Sequence, residues 1–282
     1  MISKKRKLFL WTVRGGMYLA TALTAGLTLF LMVYVLAKGV PNITWELLST
    51  KPSYLADRIG ILPDILNTLY IIIYTLILVL PLGVGAAIYL TEYAHNKKVV
   101  AVIEYAAETL SGIPSIIYGF FGMVIIRPFI AQLTGGLGFG ALTAWFVLAI
   151  MIVPTITTLT IDALNSIPMG IREASYAMGA TKWQTIYKVV LPAAKLGIVD
   201  AIVLGMGRAI GETMAVLMVV GNAPVIPDSI SSPISTLTSQ IALDMSYSSG
   251  LHRSALFGMG VVLFIISAAL VGIVRLISKK RG

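Results

Sequence analysis

Six stretches of this chain, residues 15–37, 65–90, 103–126, 140–161, 197–220 and 255–277, are apolar and run for 22 to 26 residues each. A helix rises 1.5 Å per residue and a bilayer's hydrocarbon core is about 30 Å thick, so every one of them is long enough to cross. In hydrocarbon each backbone N–H and C=O must be satisfied inside the segment, and continuous runs of this length do that as helices. The chain is therefore predicted to be an all-α integral membrane protein with six transmembrane helices. Only 12% of its residues are charged, about half the share of a soluble domain. The first stretch follows Lys4, Lys5, Arg6 and Lys7 as a signal peptide would. It is too long for the apolar core of one and lacks a small-x-small cleavage site, so it is read as a retained helix.

The net charge of +9 does not point to nucleic acid, because the basic residues lie in short loops between apolar runs and form no polar face. Their distribution gives an orientation instead. With the N-terminus in the cytoplasm, 15 Lys and Arg fall on the inner side, including Arg172, Lys182, Lys188 and Lys195. Five, at Lys38, Lys51, Arg58, Arg127 and Arg253, fall outside. Positive charge stays inside, so both termini are predicted to be cytoplasmic. The absence of cysteine excludes thiol catalysis and zinc–thiolate sites, and two histidines make a His-based metal site improbable, so no metal site is expected. No G-x-x-x-x-G-K-[ST] occurs, hence no nucleotide phosphate loop.

The longest polar interruption of the second half is I-R-E-A-S-Y-A-M-G-A-T-K-W-Q-T-I-Y-K-V-V-L-P, residues 171–192. It reads as two short helices. Gly179 suits the left-handed position that stops the first, Thr181 can cap the second, and Pro192 is expected to limit its continuation. The layout resembles the coupling loop of ABC-importer permeases, with Glu173, Ala174, Ser175, Gly179, Val189, Leu191 and Pro192 at that pattern's places. Ser175 for a third alanine and Val189 for isoleucine are the departures, and both keep side-chain size roughly. In that family the hairpin docks into a separate ATPase subunit, so ATP and magnesium would be held by a partner and the chain itself would be no enzyme and bind no cofactor.

Within the spans, Arg208 and Glu212 stand four apart, and on one helix they would share a face and pair. A charge at mid-membrane costs about 2.5–3.5 kcal/mol on insertion scales, so such residues face a bundle interior or a water-filled path. They are candidates for an anion pathway to which Thr213 adds a hydroxyl, with Gly205, Gly207 and Gly211 keeping the helix slim. Pro114, between Gly112 and Gly119, predicts a kink that turns Ser115 and Tyr118 inward, and Pro154 with Thr155, Thr157, Thr158 and Thr160 predicts a similar polar break. Glu104 and Glu108 read as a helix end whose dipole suits negative charge. T-G-G-L-G-F-G at 134–140 reads as an external turn, and 234–243 as an apolar stretch that dips into the membrane or packs over the pore mouth.

The stretches G-I-P-S-I-I-Y-G-F-F-G (112–122) and G-R-A-I-G-E-T-M-A-V-L-M-V-V-G-N (207–222) resemble the permeases of the phosphate-specific ABC importer, a likeness covering nearly the whole chain. Of that family's two permeases, the short N-terminal part is similar to PstA, as is the overall length, whereas R-A-I-G-E-T-M-A-V-L-M and L-H-R-S-A-L-F are more like PstC. The resemblance implies a type I (MetI-like) importer permease fold in a prokaryotic cytoplasmic membrane. It implies a paralogous permease, a PstB-like ATPase dimer and an extracytoplasmic phosphate-binding protein as partners, with the lipid bilayer around them. Residues 1–63 would form the N-terminal tail, first helix and external loop, 64–277 the transmembrane domain with its hairpin at 166–192, and 278–282 a basic tail. Other oxyanions, or proton-coupled transport through Glu212, are the alternatives.

Overall fold

A computed structural model describes residues 4–52 and 59–280. Arg58, counted above among the external charges, and the ends of both tails at 1–3 and 281–282 lie outside the described residues. Among the described residues there is no β-strand, and six helical stretches are long and apolar enough to cross a membrane. In chain order the elements begin with α1 (Lys4–Gly39), the short α2 (Trp45–Ser49) and α3 (Leu62–Ile88), which continues through a wide turn at Tyr89–Tyr93. Then come α4 (Lys97–Ser111), α5 (Ser115–Phe121), α6 (Arg127–Thr134) and α7 (Ala141–Asn165). The hairpin consists of α8 (Met169–Ala177) and α9 (Lys182–Thr185), followed by α10 (Leu191–Gly211), α11 (Met214–Val219), α12 (Leu237–Asp244) and α13 (Gly250–Lys280).

The core is built around α7, whose Leu148, Met151, Ile152 and Ile156 are fully buried against α3, α10 and α11. Lipid tails are as apolar as these side chains, so close packing and not water exclusion must hold the helices together. Small residues provide it. A Cβ on Gly83 or Gly205 would come within 3 Å of Ile156, one on Gly119 would lie 2.9 Å from the Ala215 backbone, and one on Gly122 would strike Val147. By contrast α1 is exposed along most of its length and touches the bundle at its C-terminal end, where Tyr34 meets Phe257 edge-on and Gly39 seats against the Phe257 carbonyl.

Two spans differ from the sequence expectation. The third is not one helix over 103–126: α4 stops at Ser111, Gly112 to Pro114 interrupt the ladder, and the crossing stretch runs Ser115–Thr134. Pro114 lacks an N–H and disfavours helical geometry at the residue before it, so the expected kink becomes a break. The fifth runs Lys182–Gly211, breaks at Glu212 and Thr213, and resumes as α11. Pro192 does not stop it. The preceding turn, Ile186–Val190, is widened so that the Leu191 N–H donates to the Ile186 carbonyl five residues back, and the ring then sits in a first turn that needs no N–H. Pro128 follows an equivalent wide turn at Gly122–Ile126.

Pro154 also behaves differently, lying inside an unbroken α7. Its threonines disperse: Thr157 donates to the Gly83 carbonyl at 3.2 Å, Thr158 to the Pro154 carbonyl at 2.9 Å, and the Thr160 hydroxyl is buried without a partner. Glu104 and Glu108 sit two turns and more inside α4, whose start is capped by Asn96 accepting from Lys98 and Val99. The glycines of 134–140 do form a turn, with Gly135 and Gly138 in left-handed conformation, and Arg127 lies 4.0 Å over the Phe139 ring. The apolar 234–243 stretch supplies α12, which packs over the ends of α3, α11 and α13 remote from the hairpin. Asp64 accepts from Ser235, Thr68 from the Leu237 N–H, and Asn67 donates to the Val225 carbonyl, fastening this cover to α3.

Candidate functional site

The two helix breaks meet beside the middle of α7. Arg208, on the last turn of α10, donates from Nη1 to the Thr155 hydroxyl at 2.8 Å and from Nη2 to the Ser111 carbonyl at 3.4 Å. The Ser111 and Thr155 hydroxyls lie 3.5 Å apart. A cation suits this place twice over, because the C-terminal ends of α4 and α10 both carry partial negative charge. Arg208 is half-buried, and no atoms crowd the Cβ positions of Gly207 and Gly211 on either side of it. Gly205 is different: it packs on Ile156 and serves the core.

The predicted Arg208–Glu212 pair does not form. The helix ends at Gly211 and Glu212 adopts an extended backbone, so the four-residue spacing no longer places the two on one face. The Glu212 carboxylate turns away and accepts from the Ala215 N–H at 3.0 Å, capping α11, while its carbonyl accepts from the Thr238 hydroxyl. Among the described residues the ion pair is Arg172–Glu92, and His252 meets Asp244 at 3.1 Å, so Arg208 has no counter-ion there. Thr213 is half-buried and donates to the Gly211 carbonyl at 3.2 Å, away from Arg208. Tyr118 is buried but not free, since its hydroxyl donates to the Leu110 carbonyl at 2.6 Å and ties α5 back to α4 across the break. Ser115 is half-buried and makes no hydrogen bond to this cluster. For Ser111 the one signal in the sequence is a serine that closes a helix just before G-x-P. What remains is a guanidinium held by one hydroxyl and one carbonyl, with donors left over and no carboxylate paired with it among the described residues.

At one end of the bundle the hairpin has the predicted turn. Gly179 has φ of +81°, a left-handed conformation that glycine adopts without a Cβ clash. Thr181 and Gln184 form a reciprocal capping box at 3.3 and 2.9 Å. The Ser175 and Thr185 hydroxyls, 2.9 Å apart, tie the two arms together. Glu173, Ala174, Gly179 and Pro192 are exposed, and Leu191 is half-buried. Met178 and Trp183 are exposed at 88% and 62%, with Trp183 stacked on Tyr187. Exposed apolar side chains rimmed by Glu173, Lys182 and Lys188 make a surface suited to a protein partner. Two of the basic residues read as loop charges are not solvated: Arg172 is buried, and the Lys195 ammonium is buried inside the crossing helix.

Residues 79–282 match the family described as "Binding-protein-dependent transport system inner membrane component". The chain belongs to that family. This transport-system component is also 38% identical over its whole length to the probable ABC transporter permease protein YqgH of Bacillus subtilis, covering 95% of that protein. It is 32% identical to the phosphate transport system permease protein PstC of Haemophilus influenzae, over 99% of this chain and 98% of the relative. The likeness to PstC thus includes the N-terminal part that resembled PstA. In fold, the component is similar to a chain of a bacterial ABC transporter involved in import of the acidic polysaccharide alginate. The two share a TM-score of 0.64 at 13% identity, over 96% and 99% of the two chains.

Proposed function

We propose that the protein is a permease subunit of an ATP-driven importer that carries inorganic phosphate across the cytoplasmic membrane. The observation that carries this reading is Arg208, a guanidinium without a counter-ion among the described residues, where two broken helices meet α7. An oxyanion fits it chemically: charge-assisted hydrogen bonds to a guanidinium are about twice as strong as neutral ones and can be bidentate. The phosphate-permease relatives support the choice of phosphate among oxyanions.

In this reading both termini and the hairpin face the cytoplasm, as the charge distribution predicts. A loaded binding protein docks on the opposite side, near α12. ATP and magnesium bind to a separate ATPase dimer, whose closure draws together the 171–192 hairpins of this chain and a paralogous permease. The helices rock open outward, phosphate passes between the permeases, Arg208 neutralises it briefly, and hydrolysis resets the cycle. Glu212 has no part as a proton relay here, because its carboxylate is engaged as the cap of α11.

The test is radiolabelled phosphate uptake at micromolar phosphate by cells lacking the chain, with and without its restoration. Uptake that requires ATP and survives an ionophore supports the importer. Uptake that collapses with the ionophore overturns it in favour of proton coupling. No restoration removes phosphate as the substrate.

A further inference from the structure

Arg172 joins three elements. Its Nε and Nη2 both donate to Glu92 Oε1, at 3.2 and 2.9 Å, its Nη2 also to the Leu164 carbonyl at 3.0 Å, and its Nη1 to the Ile167 carbonyl at 2.7 Å. Arg172 belongs to α8 in the hairpin, Glu92 to the wide turn that closes α3, and Leu164 to the last turn of α7. Both charged side chains are more than nine-tenths buried. A buried pair of this kind adds little net stability, since desolvation offsets attraction, but it holds two elements in one register. Arg172 also donates to carbonyls at and just beyond the end of α7, where a cation is favoured.

The connectivity gives this contact its meaning. The hairpin is covalently continuous with α7 on one side and with the helix ending in α10 on the other, so those two follow it directly. α3 has no such covalent link: it packs along α7, and its Tyr89–Tyr93 end meets the hairpin itself through side chains. Besides the Arg172–Glu92 pair, Lys182 lies 5.0 Å over the ring of Tyr93 in the same wide turn. At its far end α3 carries Asp64, Asn67 and Thr68, which hold the 225–237 cover through Ser235, Val225 and Leu237.

We propose that the Arg172–Glu92 pair is a clamp that makes α3 move with the hairpin, so that a displacement at the ATPase-facing end reaches the cover at the opposite end. The proposal rests on the importer reading above. Arg172 touches neither solute nor nucleotide in it and acts as a positioning residue.

The chain has no cysteine, so spin labels can be placed on Met178→Cys in the hairpin and His95→Cys beyond the end of α3, both exposed. Label-to-label distances would be measured in the intact transporter in lipid, without nucleotide and with ADP trapped by vanadate after ATP hydrolysis. Phosphate uptake per ATP hydrolysed would be measured on the same proteins without labels. In the wild type the distance should be the same in both states. In Glu92→Gln it should differ between them, uptake per ATP should fall about tenfold, and the ATPase should still copurify. The exchanged pair Glu92→Arg with Arg172→Glu should recover part of both readings, which a purely structural loss would not do. Arg172→Lys, which keeps the charge but not the fork, should be intermediate and serves if Glu92→Gln fails to assemble. A wild-type distance that changes with nucleotide overturns the clamp, as does a Glu92→Gln protein with unaltered distance and coupling. If the wild type moves no phosphate while the distances behave as described, the substrate reading fails and the clamp stands.

Discussion

Replacing Arg208 by glutamine removes the one feature on which the anion pathway depends. At about 4 Å and an effective dielectric of about 20, a unit charge pair is worth about 4 kcal/mol. Arg208 is half-exposed, so water and ions screen part of that, and about 2–4 kcal/mol is the reasonable range for its contribution to a passing phosphate. At 1.36 kcal/mol per tenfold in rate, uptake by Arg208→Gln should fall by about thirty- to several-hundredfold. Arg208→Lys keeps the charge but loses the forked hold on Thr155 and the Ser111 carbonyl, a hydrogen bond of about 1 kcal/mol, and should lose only about fivefold. Neither change should prevent folding, because among the described residues the guanidinium has no counter-ion to leave stranded. The assay is radiolabelled phosphate uptake in proteoliposomes holding the complete transporter, with assembly checked by copurification of the ATPase. An assembled Arg208→Gln transporter that works within threefold of wild type would refute the reasoning.

The cap role of Glu212 separates importer from proton-coupled transport: Glu212→Gln retains an acceptor for the Ala215 N–H and should keep near-normal uptake, whereas Glu212→Ala should lose about 1 kcal/mol of stability by thermal unfolding. A proton relay would lose transport in both. Gly179→Ala places a Cβ in a left-handed turn, at a cost of about 1 kcal/mol, and should weaken ATPase copurification mildly; Gly179→Pro, which cannot adopt φ of +81°, should abolish it. Unchanged copurification in the proline variant would remove the hairpin from the docking surface. Gly119→Leu drives a side chain into the Ala215 backbone and should destabilise the protein by about 1–3 kcal/mol, read as a lower melting temperature in detergent. An unaltered melting temperature would mean that α5 and α11 can separate freely.

Local chemistry was enough for the sequence to determine six membrane helices, a hairpin with its turn at Gly179 and cap at Thr181, and a distortion at Pro114, expected as a kink and found as a break. Those features follow from backbone hydrogen bonding in hydrocarbon, from the lack of a Cβ on glycine and from the missing N–H of proline. Where helices end inside a span was less legible, because propensity is a weak prior and neighbours decide. Nothing local says that Pro192 is absorbed by a widened turn, or that the helix stops at Gly211 when Glu212 is drawn to the start of α11. That one stop turns Arg208 from half of an ion pair into a cation held by Thr155 and Ser111, residues 53 and 97 positions away. Likewise Arg172 reads as a solvated loop charge until the fold brings Glu92, 80 residues earlier, against it. A partner for a charge is chosen by which helices lie side by side, and spacing along the chain carries that information only within one unbroken helix.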